Sequence, residues 1–172
     1  PLSNIVYMGM GEPLLNYKSV LNSINVITTE QGLGMSPKRI TVSTAGISKM
    51  IKKLGDDDVK FNLAISLHSG SNNKRDMLMP LNTKINLSEL RESVRYFYDK
   101  TGSRVTYEYI LFENLNDSIE DAKKLVQFSK ASPCKINLIE YNPVDNLPYK
   151  KASNKVTANF IQYLEEHNII VN

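Results

Sequence analysis

The chain is poor in the residues that staple or punctuate unusual proteins: among 172 residues it has one cysteine, no tryptophan, eight glycines and seven prolines. A single Cys134 cannot close an internal disulfide, and it cannot by itself hold a structural zinc or an iron–sulfur cluster, each of which needs several ligands. Glycine and proline are too sparse for a collagen-like or linker-rich chain. No apolar run approaches the ~20 residues that cross a bilayer, and the opening Pro1-Leu2-Ser3-Asn4 lacks the basic start of a secretory signal. A cytoplasmic protein with no membrane partner is expected. Charge of either sign is also in short supply as a surplus, since 21 Lys+Arg against 18 Asp+Glu leave a formal +3. Pairs such as Lys38-Arg39, Lys74-Arg75, Lys123-Lys124 and Lys150-Lys151, with Lys49, Lys52 and Lys53, can reach phosphates, but such runs are ordinarily solvated surface.

What is present is an ordinary globular composition, 41% hydrophobic and 23% charged, at a length that hides roughly 70% of the unfolded surface. Short β-branched or aromatic runs alternate with segments of helical period. Strands are expected at Asn4–Met8, Arg39–Ser43, Phe61–Ser66, Val105–Leu111 and Lys135–Glu140, with Ile169–Val171 as a sixth. Several are nearly continuous apolar runs, which favours a parallel sheet buried on both faces. Between them, Val20/Leu21/Ile24/Ile27, Leu90/Val94/Phe97, Ile119/Ala122/Leu125/Val126 and Val156/Phe160/Ile161/Leu164 form helical stripes. Asn16, Asn86 with Glu89, and Ser153 stand where helix caps belong, and the first helix should end near Gly32. The fold class is α/β: a parallel sheet, open or curled into part of a barrel. One domain over 1–172 is expected, because no repeat, low-complexity stretch or linker divides the chain. The abrupt start and the strand-like end at Ile169–Asn172 suggest an excised piece.

In parallel α/β folds ligands bind beyond the carboxyl ends of the strands, and the unusual residues fall there. Gly9-Met10-Gly11-Glu12-Pro13 follows the first strand, Ser43-Thr44-Ala45-Gly46 the second, Ser66-Leu67-His68-Ser69 the third and Tyr141-Asn142-Pro143 the fifth. Singly each has a plain reading as turn, cap or structural histidine; their shared edge argues for a site. The set suits a zwitterionic nucleoside. Gly11 admits close approach to the backbone, Glu12 supplies a carboxylate for an ammonium, Ser43 and Ser66 offer hydroxyls to a carboxylate or ribose, His68 can donate or accept at a ribose hydroxyl, and the Asn142 amide can do both. Neither the dinucleotide fingerprint nor the P-loop pattern occurs after a strand.

Five blocks in one order, Met8-Gly9-Met10-Gly11-Glu12-Pro13-Leu14, Ser36–Thr44, Ala64-Ile65-Ser66-Leu67-His68, Met79-Pro80-Leu81-Asn82 and Cys134–Ile139, strongly resemble the radical S-adenosylmethionine enzymes that methylate carbon 2 of adenine in 23S rRNA and tRNA. The resemblance spans essentially the whole chain. It implies an incomplete (β/α)6 barrel, with Gly11, Glu12, Ser43, Ser66, Leu67 (through its backbone), His68 and Asn142 as contacts to S-adenosylmethionine. It also implies a [4Fe-4S] cluster that reduces this cofactor to a deoxyadenosyl radical, and a methylated cysteine that carries the one-carbon unit to the base. The chain departs from the family where that chemistry begins. The C-x-x-x-C-x-x-C run that holds the cluster is absent, Cys134 matches neither the methyl carrier nor its resolving partner, and the piece should be inert, with no catalytic residue and no metal ligand of its own.

Three other readings stand beside this one: methylation at carbon 8 of the same adenine, a nucleic-acid-binding α/β module without chemistry, and a small-molecule enzyme using Glu12 and His68 as acid and base.

Overall fold

A computed structural model describes residues 2–172. It has six strands in parallel: β1 (Ile5–Tyr7), β2 (Ile40–Thr44), β3 (Asn62–Ser66), β4 (Val105–Leu111), β5 (Cys134–Glu140) and β6 (Ile170–Val171). They lie in chain order, β1 to β6, and β1 is not paired with β6 among the described residues, so the sheet is open. Six helices join them: α1 (Tyr17–Thr28), α2 (Ser48–Asp56), α3 (Asn72–Leu78), α4 (Leu87–Thr101), α5 (Ile119–Ser129) and α6 (Asn154–Glu166).

Local chemistry accounts for most boundaries. The Asn86 side chain accepts from the Ser88 and Glu89 amides at the start of α4, and Ser153 caps α6 through the Val156 amide. Ser118 and Asp121 form a reciprocal capping box on α5, a signal the sequence carried in plain view. Asn16 precedes α1 but makes no side-chain cap, because a short 3-10 turn, Pro13–Asn16, already leads into that helix. The first helix ends at Thr28 rather than near Gly32. Helices α2 and α3 were not expected: α2 is lysine-rich, and α3 is too short for a periodic stripe to show.

The expectation of strands buried on both faces is corrected by the topology. Right-handed crossovers taken always in the same direction place every helix on one face of the sheet. That face carries Ile40, Val42, Leu63, Ile65, Tyr107 and Ile136, which join Ile51, Leu90, Phe97, Leu125, Phe160 and Leu164 of the helices in one core. Tyr107 meets Phe128 edge-on and Tyr109 meets Phe160. The register puts the alternate residues on the opposite face: Ser43 beside Ala64, Ala64 beside Thr106 and Ser66 beside Glu108, Thr106 beside Lys135 and Glu108 beside Asn137. No helix covers these polar rows. The apparent apolar runs concealed a period-two alternation, blurred by the small Ala64 and the aromatic Tyr107 and Tyr109.

Candidate functional site at the strand ends

Glu12 is where the first loop becomes rigid. It caps the 3-10 turn, with Oε1 accepting from the Leu14 amide at 3.0 Å and Oε2 accepting from the Ala45 amide at 2.7 Å. The second bond ties the end of β1 to the end of β2. Each carboxylate oxygen retains a further acceptor position, so the group can still receive an ammonium. Gly9 and Gly11 adopt φ of 142° and 89°, conformations L side chains rarely take, and a side chain at Gly11 would meet nothing within 4 Å. The loop is open to an incoming group.

Behind this rim lies a residue that the sequence disguised as half of a basic surface pair. Arg75 is 0% exposed. Its guanidinium donates to the carbonyls of Leu67 (3.2 Å), Ala45 (2.8 Å) and Ser66 (3.2 Å) and to Asn82 Oδ1 (2.7 Å). Burial brings it down to about 10, with Asp76 opposing the shift, so it remains a cation at neutral pH. Asn82, of the Met79–Asn82 block, in turn donates to Asp76 at 2.6 Å. That block therefore clamps the arginine which holds the ends of β2 and β3 together.

His68 sits at φ 55°, an uncommon region for a residue with a side chain. Its amide donates to the Glu108 carbonyl at 3.2 Å, and its carbonyl accepts from the Asn116 side chain at 2.8 Å. Its Nδ1 lies 3.2 Å from the Ile110 amide, which can only donate. Nδ1 is therefore the acceptor, and the proton of the neutral ring is on Nε2. Burial, with the nearby Arg75 charge second, lowers the imidazole to about 4. The ring offers a neutral N–H donor. Asn116, which the sequence did not single out, is 0% exposed and also donates to Ile110 O and accepts from the Phe112 amide.

Ser43 is 8% exposed, and neither its hydroxyl nor that of Ser66 takes a hydrogen bond among the described residues, which leaves both available on the uncovered face. Leu67 is different. Its amide donates to the Glu108 carbonyl, and its own carbonyl accepts from Ser69 and Arg75, so its backbone has no free donor. Asn142 lies beyond β5, exposed, at the same edge but with no bond to the others. Through Ala45 and Arg75 the backbone segments that carry Glu12, Ser43, Ser66 and His68 are tied to one another at one edge of the sheet. Asn142 shares the strand-end edge without a hydrogen bond to them.

Some of the basic groups are ion-paired, while Lys38, Arg39, Lys49, Lys124 and Lys150 make no ion pair among the described residues. Lys52 meets Glu92 at 2.5 Å, Lys74 meets Asp121 at 2.7 Å, Lys123 meets Glu120 at 3.3 Å and Lys151 meets Glu140 at 2.8 Å.

The residues present suit a nucleoside with a charged amino-acid tail: unpartnered hydroxyls, a fixed N–H donor, an open glycine turn and a carboxylate. They do not suit a metal cluster. Among the described residues no group of three or more His, Cys, Asp or Glu side chains gathers as ligands, and Cys134 opens β5, at the opposite end of the sheet.

No family model matches the chain. Curated relatives do. It is 54% identical over 171 residues to a probable dual-specificity RNA methyltransferase RlmN of Christiangramia forsetii, covering 99% of this chain and 49% of the relative. It is 46% identical to the protein of the same name from Salinibacter ruber, covering 99% of this chain and 47% of that one. The crystal structure of a radical SAM methyltransferase from Sphaerobacter thermophilus superposes with TM-score 0.95 at 36% identity, over 99% of this chain and 50% of that one. From end to end the chain is similar to these RNA methyltransferases and to that radical SAM methyltransferase. It spans about half the length of the curated relatives it matches. A domain of a pyruvate-formate lyase-activating enzyme from Bacteroides vulgatus, 17% identical with TM-score 0.73 over 99% of this chain and 98% of that one, shares the fold alone. No helix among the described residues is long and apolar enough to cross a membrane.

Proposed function

We propose that this chain is part of a cytoplasmic radical-SAM methyltransferase that acts on adenine in RNA, at carbon 2 in 23S rRNA and tRNA, by way of a methylated cysteine outside these 172 residues. The single observation that carries the reading is the coincidence of end-to-end homology with a rim of unpartnered donors and acceptors at the strand ends. S-adenosylmethionine, when bound, supplies the methyl group and the adenosyl group. The chain's own part is to hold it. Glu12, fixed by the Leu14 and Ala45 amides, receives the amino group; Ser43 and Ser66 hydrogen-bond the carboxylate or ribose; His68 Nε2–H donates to a ribose oxygen; Asn142 takes the far end of the nucleoside. Leu67 contributes by fixing the bend rather than through a free amide.

The cluster that the family uses has no ligands here, and no step is assigned to it in this chain. The 172 residues are expected to be inactive alone. The test is expression at the full length of the relatives, incubation with adenine-containing rRNA and tRNA fragments, and nucleoside mass spectrometry. 2-Methyladenosine in both RNAs is the expected product. 8-Methyladenosine would move the reading to the carbon-8 branch, and RNA left unmodified by a cluster-loaded protein would overturn it.

A further inference from the structure

The rim described above draws on β1, β2, β3 and β5, and none of its residues comes from β4. Yet β4 lies between β3 and β5, so any ligand that touches Ser66 or His68 at one end and Asn142 at the other must cross it. The β4 residue beneath that path is Glu108. Tyr107 and Tyr109 point to the helices, and the alternation of a strand sends Glu108 to the uncovered face, in register with Ser66 on one side and Asn137 on the other.

Glu108 is a largely buried carboxyl group on that face. It is 6% exposed, no cation pairs with it among the described residues, and its only side-chain bond is from Asn137 Nδ2 to Oε2 at 2.6 Å. Oε1 takes no hydrogen bond among the described residues. That oxygen is not sealed from solvent, so it stands ready to accept from a ligand that reaches this face. Burial raises the group above the usual carboxylate range, partly offset by the hydrogen bond from Asn137.

The pair offers a definite pattern. Glu108 Oε1 is an acceptor, and Asn137 keeps one N–H donor beside it. An adjacent acceptor and donor match the edge of adenine, whose exocyclic amino group donates next to a ring nitrogen that accepts. One pleat higher, Ile110 and Ile139 stand side by side on the same face and give an apolar surface for the ring.

We propose that Glu108 and Asn137 form an adenine-reading pair on the uncovered face of the sheet, with Glu108 Oε1 accepting from the amino group and Asn137 donating to the ring nitrogen. This rests on the nucleoside reading of the rim and adds the base contact to it. The adenine belongs either to the cofactor or to the RNA, and both sources present the same edge.

The experiment measures dissociation constants in the protein at the full length of its relatives, unmodified and as Glu108→Ala and Glu108→Gln, with two probes: S-adenosylhomocysteine and an RNA hairpin carrying the target adenosine. Each probe is compared with its hypoxanthine counterpart, which replaces the amino donor by a carbonyl. The unmodified protein should prefer adenine. Glu108→Ala should weaken one adenine probe about tenfold or more and erase the preference for adenine over hypoxanthine, a readout that a purely structural residue would not change. Loss with S-adenosylhomocysteine assigns the pair to the cofactor, and loss with the hairpin assigns it to the RNA. If Glu108→Ala does not fold, the isosteric Glu108→Gln carries the same comparison. An unmodified protein that binds and prefers adenine, with variants that do the same, overturns the adenine-reading pair alone. An unmodified protein that binds neither probe overturns the nucleoside reading as well.

Discussion

Glu12 and Arg75, far apart in sequence, grip the same residue from opposite sides: the Glu12 carboxylate accepts the Ala45 amide at 2.7 Å, and the Arg75 guanidinium donates to the Ala45 carbonyl at 2.8 Å. Opposite charges thereby fix the loop after β2, and with it the setting of Ser43, without touching each other. Arg75→Met should be strongly destabilising, because it takes this donor from the Ala45 and Ser66 carbonyls and Asn82 and one of two donors from the Leu67 carbonyl. A loss of about 3–5 kcal/mol is expected, the range for breaking a buried charged network, measured by urea denaturation. Arg75→Lys should recover little of it, since an ammonium cannot reproduce the fork of the guanidinium.

Glu12 anchors the loop after β1 and is proposed to bind the ligand as well, and two substitutions separate these roles. At the full length of the relatives, Glu12→Ala should weaken S-adenosylmethionine binding by roughly 1.5–3 kcal/mol, as for a hydrogen bond to a charged group. Glu12→Gln keeps one acceptor for a backbone amide and should remain better folded while still losing affinity. Isothermal titration and thermal melts together decide it, and unchanged affinity in both variants would remove Glu12 from the site.

His68 gives the chain a pH dependence of definite sign. Its folded value is lowered to about 4 from 6.5, so the unfolded chain takes up the proton first as the medium is acidified. The stability this group contributes is complete above about pH 6.5 and is lost as pH falls toward 4. The amount is about 2 kcal/mol after allowance for partial exposure. His68→Gln should flatten this part of the stability profile, measured by denaturant midpoints between pH 7 and 4; a profile of unchanged slope would mean that the ring takes up its proton at the same pH folded and unfolded.

Gly70 marks where the loop after β3 touches α5. A Cβ there would lie 2.7 Å from the Lys124 carbonyl carbon and 2.8 Å from the Leu125 amide nitrogen, both backbone atoms of a helix that cannot easily move. Gly70→Ala should cost about 1–3 kcal/mol, typical of overpacking. A melting temperature equal to that of the unmodified chain would show that the helix yields.

With a single cysteine, the 172-residue chain should show no stoichiometric iron–sulfur absorbance after anaerobic reconstitution, whereas the protein at the full length of its relatives should. A cluster bound one-to-one by the shorter chain would require ligands other than cysteine.

Much of this was legible in the residues themselves. Period-two and period-3.6 patterns are local, so strands such as Val105–Leu111 and caps such as Asn86 and Ser153 could be placed from the sequence alone, and the glycine, hydroxyl, acid and imidazole groups after the strands marked the edge proposed to hold the ligand. Tertiary structure decided what those groups face. Arg75 looked like surface charge and proved to be the buried fastener, because burial of a long side chain depends on which carbonyls distant strands bring to it. Glu108 lies within the expected strand Val105–Leu111, and only the parallel register beside Ser66 and Asn137 places it on the open face. The one-sidedness of the sheet has the same origin: composition sets how much apolar surface must be covered, whereas strand order and crossover handedness choose which side the helices cover.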